Sequence, residues 1–369
     1  MAETSKWREK ITNLKKRKSD AQKMGGAEKV AKHHAKGKRD ARQRIQTLLD
    51  GGAFTEVGQL AGHEVDAFVS GIGILNGHPV AIGCEDFTVK GGSIGRAESA
   101  KRYRIAELAL QERIPLIMLL EGAGHRPPLP DDPPAFRTPG DLQAQADASG
   151  RIPLATAVLG PSAGHGALSA PLADFTVMTK QASIFTAGPP LVKASLGEDI
   201  TKEELGGPDV ALKSGVIHNL ADDDEDALRQ IRTWLTYLPS SAWQNPARLA
   251  DAEQQRTVDE LLDIIPENPR QAYDMQDVIK AVTDANSVFT IQPMFGQSLI
   301  TCLARLGGRP VAIVANQPQF IAGSITVEAA DKATQFIQVA DSFHLPLIFL
   351  TDNPGVLAGS SSEKAGILR

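Results

Sequence analysis

The stretch Leu75-Asn76-Gly77-His78-Pro79-Val80-Ala81-Ile82 returns further along the chain as Leu306-Gly307-Gly308-Arg309-Pro310-Val311-Ala312-Ile313. At the same offset Gly92-Ser93-Ile94 returns as Gly323-Ser324-Ile325, Pro115-Leu116-Ile117 as Pro346-Leu347-Ile348, and Gly124 as Gly355. Positions 75–124 hold 16 identities in 50 at that single offset, where composition alone gives about three or four. A repeat this long is a whole domain rather than a solenoid unit. The sequence therefore predicts two copies of one architecture.

Each copy reads alike. Apolar, β-rich runs (Phe68–Leu75, then Val80–Val89) flank Asn76-Gly77, a hairpin signal because a type I′ turn needs positive φ at both central residues. A helical stretch Ala97–Arg113 precedes a buried strand Ile114–Leu120, which ends in Glu121-Gly122-Ala123-Gly124. A Pro-rich loop, Arg126–Pro139, leads to a helix Asp141–Ser149 and a second buried strand, Pro153–Leu159, ending in Gly160-Pro161-Ser162-Ala163-Gly164-His165-Gly166. Strands alternating with helices indicate an α/β fold. Acids at 222–226 suit the positive end of a helix running to Leu238. The predicted organisation is a basic helical arm (1–50), a first domain (51–238), a linker (239–256) and a second domain (257–369).

The second domain reads as incomplete at its C-terminus. The counterpart of the first copy's loop 160–168 would fall beyond Arg369, which itself matches Thr138. The second copy is thus expected to lack its own glycine-rich turn and the packing partners of Leu345–Leu350.

The chain has 369 residues, 42% hydrophobic and 22% charged, with net charge −5, the composition of a globular protein. Apolar runs such as Leu116–Leu120 are far shorter than the roughly 18 residues that span a bilayer, and no secretory h-region follows the start. Two cysteines, Cys84 and Cys302, make neither a disulfide framework nor a four-cysteine zinc site, so a cytoplasmic location is expected. Residues 1–50 carry a balance of +9 and the remainder −14. A basic arm suggests nucleic acid, but this one lacks interleaved aromatics for base stacking. Trp7, Ile11 and Leu14, like Ile45, Leu48 and Leu49, instead fall at helical spacing. Six acids in the arm argue against a mitochondrial transit peptide.

Two strand ends dense in glycine let backbone N–H groups approach a ligand, and amides from two loops could form an oxyanion hole. Tight strand-to-helix turns explain the same glycines. Gly160-x-Ser162-x-Gly164 also matches a nucleophile elbow; Pro161 fits a strained elbow poorly, and His218 follows Asp174 in a workable order that nothing else supports. The sequence has no P-loop, no H-E-x-x-H and no Cys/His cluster, so no metal is expected. His33-His34 in the basic arm reads as a solvated pair. Candidate oxyanion donors without an acid–base pair suggest a base brought by a cofactor.

These residues carry a family pattern. Asp86-Phe87-Thr88-Val89-Lys90-Gly91-Gly92-Ser93, Leu159-Gly160-Pro161-Ser162-Ala163-Gly164 and Gly188-Pro189-Pro190-Leu191-Val192-Lys193 closely resemble the carboxyltransferase β subunit of biotin-dependent acyl-CoA carboxylases. So do Gly197-Glu198-Asp199, Glu203-Glu204-Leu205-Gly206-Gly207, Ala41-Arg42-Gln43-Arg44-Ile45 and Asn316-Gln317-Pro318. The propionyl-, acetyl- and methylcrotonyl-CoA enzymes are the nearest groups. The resemblance implies tandem crotonase-like domains, a hexamer, and transfer of CO₂ from carboxybiotin, carried by a biotin carboxylase or carboxyl carrier partner, to the α-carbon of an acyl-CoA. In the implied mechanism the biotin enolate removes the α-proton.

Carried over residue by residue, the resemblance puts oxyanion donors on Gly122, Ala123 and Gly124 and on Gly164, His165 and Gly166. It puts substrate contacts on Gly91, Gly92, Ser93 and His125, and biotin contacts on Pro354 and Gly355. The chain departs from the pattern at His125, at His165 where the family has a glycine, and at Val356 where it has Phe. Three other readings stay open: a non-catalytic assembly paralogue, a serine hydrolase using Ser162, and a crotonase-like hydratase, which needs two positioned acids where only Glu121 stands out.

Overall fold

The computed structural model describes residues 2–62, 65–127, 140–249, 258–268 and 270–368. An eight-stranded sheet is built from β1 (Phe54–Glu56), β2 (Phe68–Leu75), β3 (His78–Glu85), β4 (Leu116–Gly122), β5 (Leu154–Ala163), β6 (Phe175–Thr179), β7 (Ser183–Phe185) and β8 (Asn219–Ala221). Its order is β1-β2-β3-β4-β5-β6-β8, with β7 pairing the far half of β5. The β2–β3 hairpin is antiparallel, and β3 through β8 are parallel. A second sheet holds β9 (Phe289–Ile291), β10 (Leu299–Leu306), β11 (Arg309–Asn316) and β12 (Leu347–Leu350) in the order β12-β11-β10-β9.

The duplication is written in the backbone. β10 and β11 match β2 and β3 from first residue to last at the offset of the sequence repeat. Left-handed residues recur at the same offset: Lys90 and Ile321 (φ 49° and 51°), Gly91 and Ala322 (66° and 52°), Gly92 and Gly323 (67° and 75°), Arg113 and His344 (56° and 59°). Non-glycine residues at positive φ are uncommon, so the two pairs without a glycine, Lys90 with Ile321 and Arg113 with His344, mark one inherited chain path. In each copy the last two pairs bracket a helix, Arg96–Glu112 and Val327–Ser342. Asn76-Gly77 adopts the expected turn, with φ 52° and 78°.

Two predicted boundaries are corrected. The strand expected to reach Val89 stops at Glu85, because the Asp86 carboxylate accepts the Thr88 N–H at 2.9 Å and its hydroxyl at 2.6 Å and turns the chain. The strand expected to stop at Leu159 runs on to Ala163, since β7 offers a new partner to Pro161, Ser162 and Ala163.

The two copies share their core. Val69, Ile82, Phe175 and Trp234 from the first belong to one buried cluster with Ile291, Leu303, Val314 and Phe336 from the second. Trp234, on the helix Asp224–Leu235, stacks on Phe175 at 5.5 Å, and Phe289 meets the same ring edge-on. Truncating such a buried tryptophan costs about 3–5 kcal/mol. The described part of the expected linker is held as well: Ala242 donates its N–H to the Arg151 carbonyl at 2.9 Å, and Leu249 to that of Gly308 at 3.0 Å. Residues 250–256 of that linker, like most of the Pro-rich loop, lie outside the described residues.

In the arm, Ile45, Leu48 and Leu49 are buried as expected, whereas Trp7, Ile11 and Leu14 stay 64%, 49% and 45% exposed. The outer strand β12 leaves Phe349 57% exposed. No helix among the described residues is long and apolar enough to cross a membrane.

Candidate active site

Parallel strands β3, β4 and β5 bring Glu85, Glu121-Gly122 and Ala163-Gly164 to one edge of the sheet. The carboxyl ends of parallel strands are where α/β sheets bind ligands. The two glycine loops touch there. Gly124 has φ 78°, and a Cβ on it would lie 2.8 Å from the Ala163 carbonyl oxygen; Gly164 has φ 60°, and its Cβ would lie 3.8 Å from the Gly124 Cα. Only glycine fits this approach without strain.

The six expected oxyanion donors are not equivalent. Ala123 gives its N–H to the Gly91 carbonyl at 3.1 Å, which corrects the expectation of a free donor. Its amide is used in tying the loop to the turn at 90–92. The Gly124 N–H has no partner among the described residues, while its carbonyl accepts from Ile94 at 2.7 Å. Gly164, His165 and Gly166 form the first turn of the helix Gly164–Ala167, where amides have no intrahelical acceptor.

Under the loops lies a chain of buried charge. The Glu85 Oε2 accepts the Glu121 N–H at 2.8 Å, and Oε1 meets Arg102 Nη1 at 3.0 Å. Arg102 Nε reaches Asp141 Oδ2 at 2.8 Å, and Asp141 Oδ1 lies 2.6 Å from His165 Nε2. The His165 ring meets His125 edge-on at 4.4 Å. Glu121 forms a second cluster with Arg44 at 2.7 Å, Lys38 at 2.5 Å and His33 at 3.6 Å. Burial pushes the Glu85 carboxyl up against the pull of Arg102. Burial also opposes ionisation of Glu121, but Arg44 and Lys38 outweigh it and hold that carboxyl below its ordinary value. Burial resists ionisation of Asp141 too; His165 and Arg102 nevertheless bring it down to about 2. His125 is lowered by burial and by the neighbouring His165.

The remaining expected residues divide. Gly92 is buried where a Cβ would collide with the Glu121 carbonyl, so it is a packing glycine. Ser93 gives its hydroxyl to the Lys90 carbonyl at 2.7 Å and receives Arg126 on its own carbonyl at 3.1 Å. Gly355 repeats Gly124: its carbonyl accepts the Ile325 N–H at 3.1 Å, as Gly124 accepts Ile94. His33 is buried, which corrects the solvated reading. Ser162 corrects the elbow reading. It is a strand residue, fully buried, and its hydroxyl meets no histidine. The two acids that a hydratase would need, Glu85 and Glu121, are both taken by guanidinium groups. Among the described residues no group of three His, Cys, Asp or Glu could hold a metal ion.

Sequence reading missed Glu85, Arg102 and Asp141. One signal was available: Glu98, Arg102, Ile105 and Ala109 fall on one helical stripe and all are buried, and a charge on an apolar stripe indicates a buried partner.

Fold and site together define a tandem crotonase-like protein with paired glycine loops at the strand ends. Residues 32–369 match the carboxyl transferase domain, and the chain belongs to that family. It is 36% identical to the propionyl-CoA carboxylase carboxyltransferase subunit of Haloferax mediterranei, over 98% of this chain and 73% of that protein. It is 34% identical to the methylmalonyl-CoA decarboxylase α subunit of Veillonella parvula, over 98% and 74%. The transcarboxylase 12S hexamer with methylmalonyl-CoA and methylmalonic acid bound superposes with a TM-score of 0.89 at 33% identity, covering 98% of this chain and 73% of that one. A single-chain long-chain acyl-CoA carboxylase gives a TM-score of 0.86 at 28% identity, over 98% and 38%.

Proposed function

We propose that the chain transfers a carboxyl group from carboxybiotin, presented by a biotin carboxylase or carboxyl carrier partner, to the α-carbon of an acyl-CoA. The observation that carries this reading is the contact between the loops at Gly124 and Gly164. It leaves the Gly124 N–H and the first-turn amides at 164–166 to hold a thioester oxygen as negative charge develops on it. One such donor is worth about 10²–10³ in rate. The Glu85 carboxylate lies under both loops and keeps their spacing: a Cβ on Gly122 would come within 2.7 Å of Oε2, and one on Gly166 within 2.6 Å of Oε1. Gly91, Gly92 and Ser93 brace the first loop from below, and His125 stands at its exit.

Biotin would lie against Pro354 and Gly355, where a side chain on Gly355 would meet nothing within 4 Å. The backbone there leaves a shelf for a planar group. The Gly355 N–H is held by Asn353 Oδ1 at 2.8 Å, so this residue shapes the shelf rather than donating to a ligand. When bound, carboxybiotin supplies the carboxyl group. A cytoplasmic homo-oligomer, hexameric by resemblance, belongs to the same reading.

The test is carboxyl transfer across a panel of acyl-CoAs, with a biotin carboxylase and a biotinylated carrier supplied. Transfer to one or more thioesters supports the reading. Acyl-CoA binding without transfer would favour the assembly paralogue, for which the occupied Ala123 amide is the supporting observation.

A further inference from the structure

The expected mechanism borrows its base from biotin, yet this chain holds a carboxylate–imidazole pair beside the loops. His165 Nε2 lies 2.6 Å from Asp141 Oδ1. Asp141 is buried, and its other oxygen is held at 2.8 Å by the Arg102 guanidinium, whose charge favours the ionised carboxylate. An ionised carboxylate only accepts hydrogen bonds, so Nε2 carries the hydrogen and the lone pair of a neutral ring sits on Nδ1. Among the described residues Nδ1 has no hydrogen-bond partner, and the side chain is 27% exposed. The His125 ring, edge-on at 4.4 Å, fixes the imidazole from the first loop. A base oriented by a buried carboxylate next to backbone oxyanion donors is the constellation that general-base chemistry requires. No neighbouring carboxylate competes for the role, because Glu85 and Glu121 are tied to Arg102, Arg44 and Lys38.

We propose that the Asp141–His165 pair is a protein-borne base that enolises a bound acyl-CoA in the absence of biotin. The inference rests on the reading above for the site that binds the thioester. In the step, the Cα–H bond breaks and its proton bonds to Nδ1. The electron pair of that bond forms the Cα=C double bond, and the carbonyl π pair moves to the thioester oxygen beside the loop amides. The reverse step returns a proton from the imidazolium, which has by then exchanged with solvent. No oxidant, carboxyl donor or leaving group is needed, and the net reaction is exchange of the α-hydrogens with water.

The experiment incubates the full chain with acetyl-CoA and propionyl-CoA in D₂O without biotin or carrier, and reads α-deuterium by mass spectrometry. The wild type is expected to exchange, and His165→Gln to lose at least about 10²-fold of the rate. His165→Asn, with a shorter amide, and a melting curve for each variant separate loss of the base from loss of the fold. No exchange by the wild type with either thioester overturns the proposal, and so does equal exchange by folded His165→Gln or His165→Asn. Carboxyl transfer from a carrier, measured in parallel, keeps the two readings apart. Transfer without exchange overturns the base and leaves the carboxyltransferase. Exchange without transfer does the reverse.

Discussion

Glu85 and Asn316 are counterparts in the repeat, at the ends of β3 and β11, and hold the same backbone contact in the two copies. Glu85 Oε2 accepts the Glu121 N–H at 2.8 Å, and Asn316 Oδ1 accepts the N–H of Asp352, the residue matching Glu121, at 3.4 Å. The copies differ in charge. Arg102 faces Glu85, while Ala333 stands at the position matching Arg102. A fixed backbone contact has thus been kept, while Asn316 and Ala333 stand in the second copy where the first has the Glu85–Arg102 ion pair.

The pair predicts what Glu85 contributes. Glu85→Gln keeps an acceptor for the Glu121 N–H, as Asn316 does in the other copy, and Arg102 retains Asp141 and Ser169. Its expected cost is about 1 kcal/mol, the worth of a net hydrogen bond. Glu85→Ala removes the acceptor and leaves Arg102 short of one buried partner, so about 3 kcal/mol is expected. Urea denaturation of both variants checks the ordering. Equal costs would mean that charge, not the backbone contact, is what the position supplies.

Gly91 and Gly92 are both left-handed, with φ 66° and 67°, but they are not equally replaceable. A Cβ on Gly91 meets nothing within 4 Å, and the second copy already carries Ala322 there at φ 52°. Gly91→Ala is expected to cost only the left-handed penalty, about 1–2 kcal/mol. At Gly92 a Cβ would strike the Glu121 carbonyl and crowd Gly122. Gly92→Ala is expected to cost more than its neighbour and to weaken acyl-CoA binding, read by thermal melting and by titration with a thioester.

The duplication, the β2–β3 hairpin and the glycine loops were legible in the sequence because they rest on local signals: periodicity, turn residues and the repeat itself. The length of β5 was not legible, since its far half pairs along Pro161–Ala163 with β7, a segment that follows only after a helix and another strand. Nor was the ion chain. Glu85, Arg102, Asp141 and His165 lie on four separate elements, and no spacing rule joins residues brought together by the sheet. The reading of His33, though not that of the exposed His34, failed for a related reason: a basic run reads as solvated until a buried acid, here Glu121, is placed against it.

Asp174 lines a small cavity between the copies with His218, Trp234 and Gln335. Burial pushes its carboxyl up to about 7, only partly opposed by the Leu154 N–H. A carboxyl raised in the fold favours the protonated native state. Its contribution is therefore fully present below the unfolded value near 3.8 and is lost as pH rises through about 7. Asp174→Asn mimics the protonated form at every pH. The variant is expected to gain about 1–3 kcal/mol over wild type at pH 8 and much less at pH 4. His218, lowered to about 4 by burial, loses stability in the opposite direction below its unfolded value of 6.5, but it does so in both proteins and leaves their difference unchanged. Melting temperatures at the two pH values decide, and a gain equal at both would show that Asp174 is already neutral or already solvated.

Gly166 offers a direct test of loop spacing. Gly164→Pro, which deletes an amide, cannot serve, because φ at 164 is 60° and a proline ring requires about −65°. Gly166 is not at positive φ, so alanine suits its backbone, but the new Cβ would lie 2.6 Å from Glu85 Oε1. The carboxylate must move, and with it the Glu121 N–H that sets the first loop. A displacement near 1 Å at a reacting centre costs about 10²-fold, so kcat/KM for carboxyl transfer is expected to fall by about that factor. Glu85→Asp withdraws the carboxylate by one methylene. Combined with Gly166→Ala it should recover part of the loss, a coupling that independent sites do not show. If the double variant is simply the product of the two single losses, Glu85 does not set the spacing between the loops.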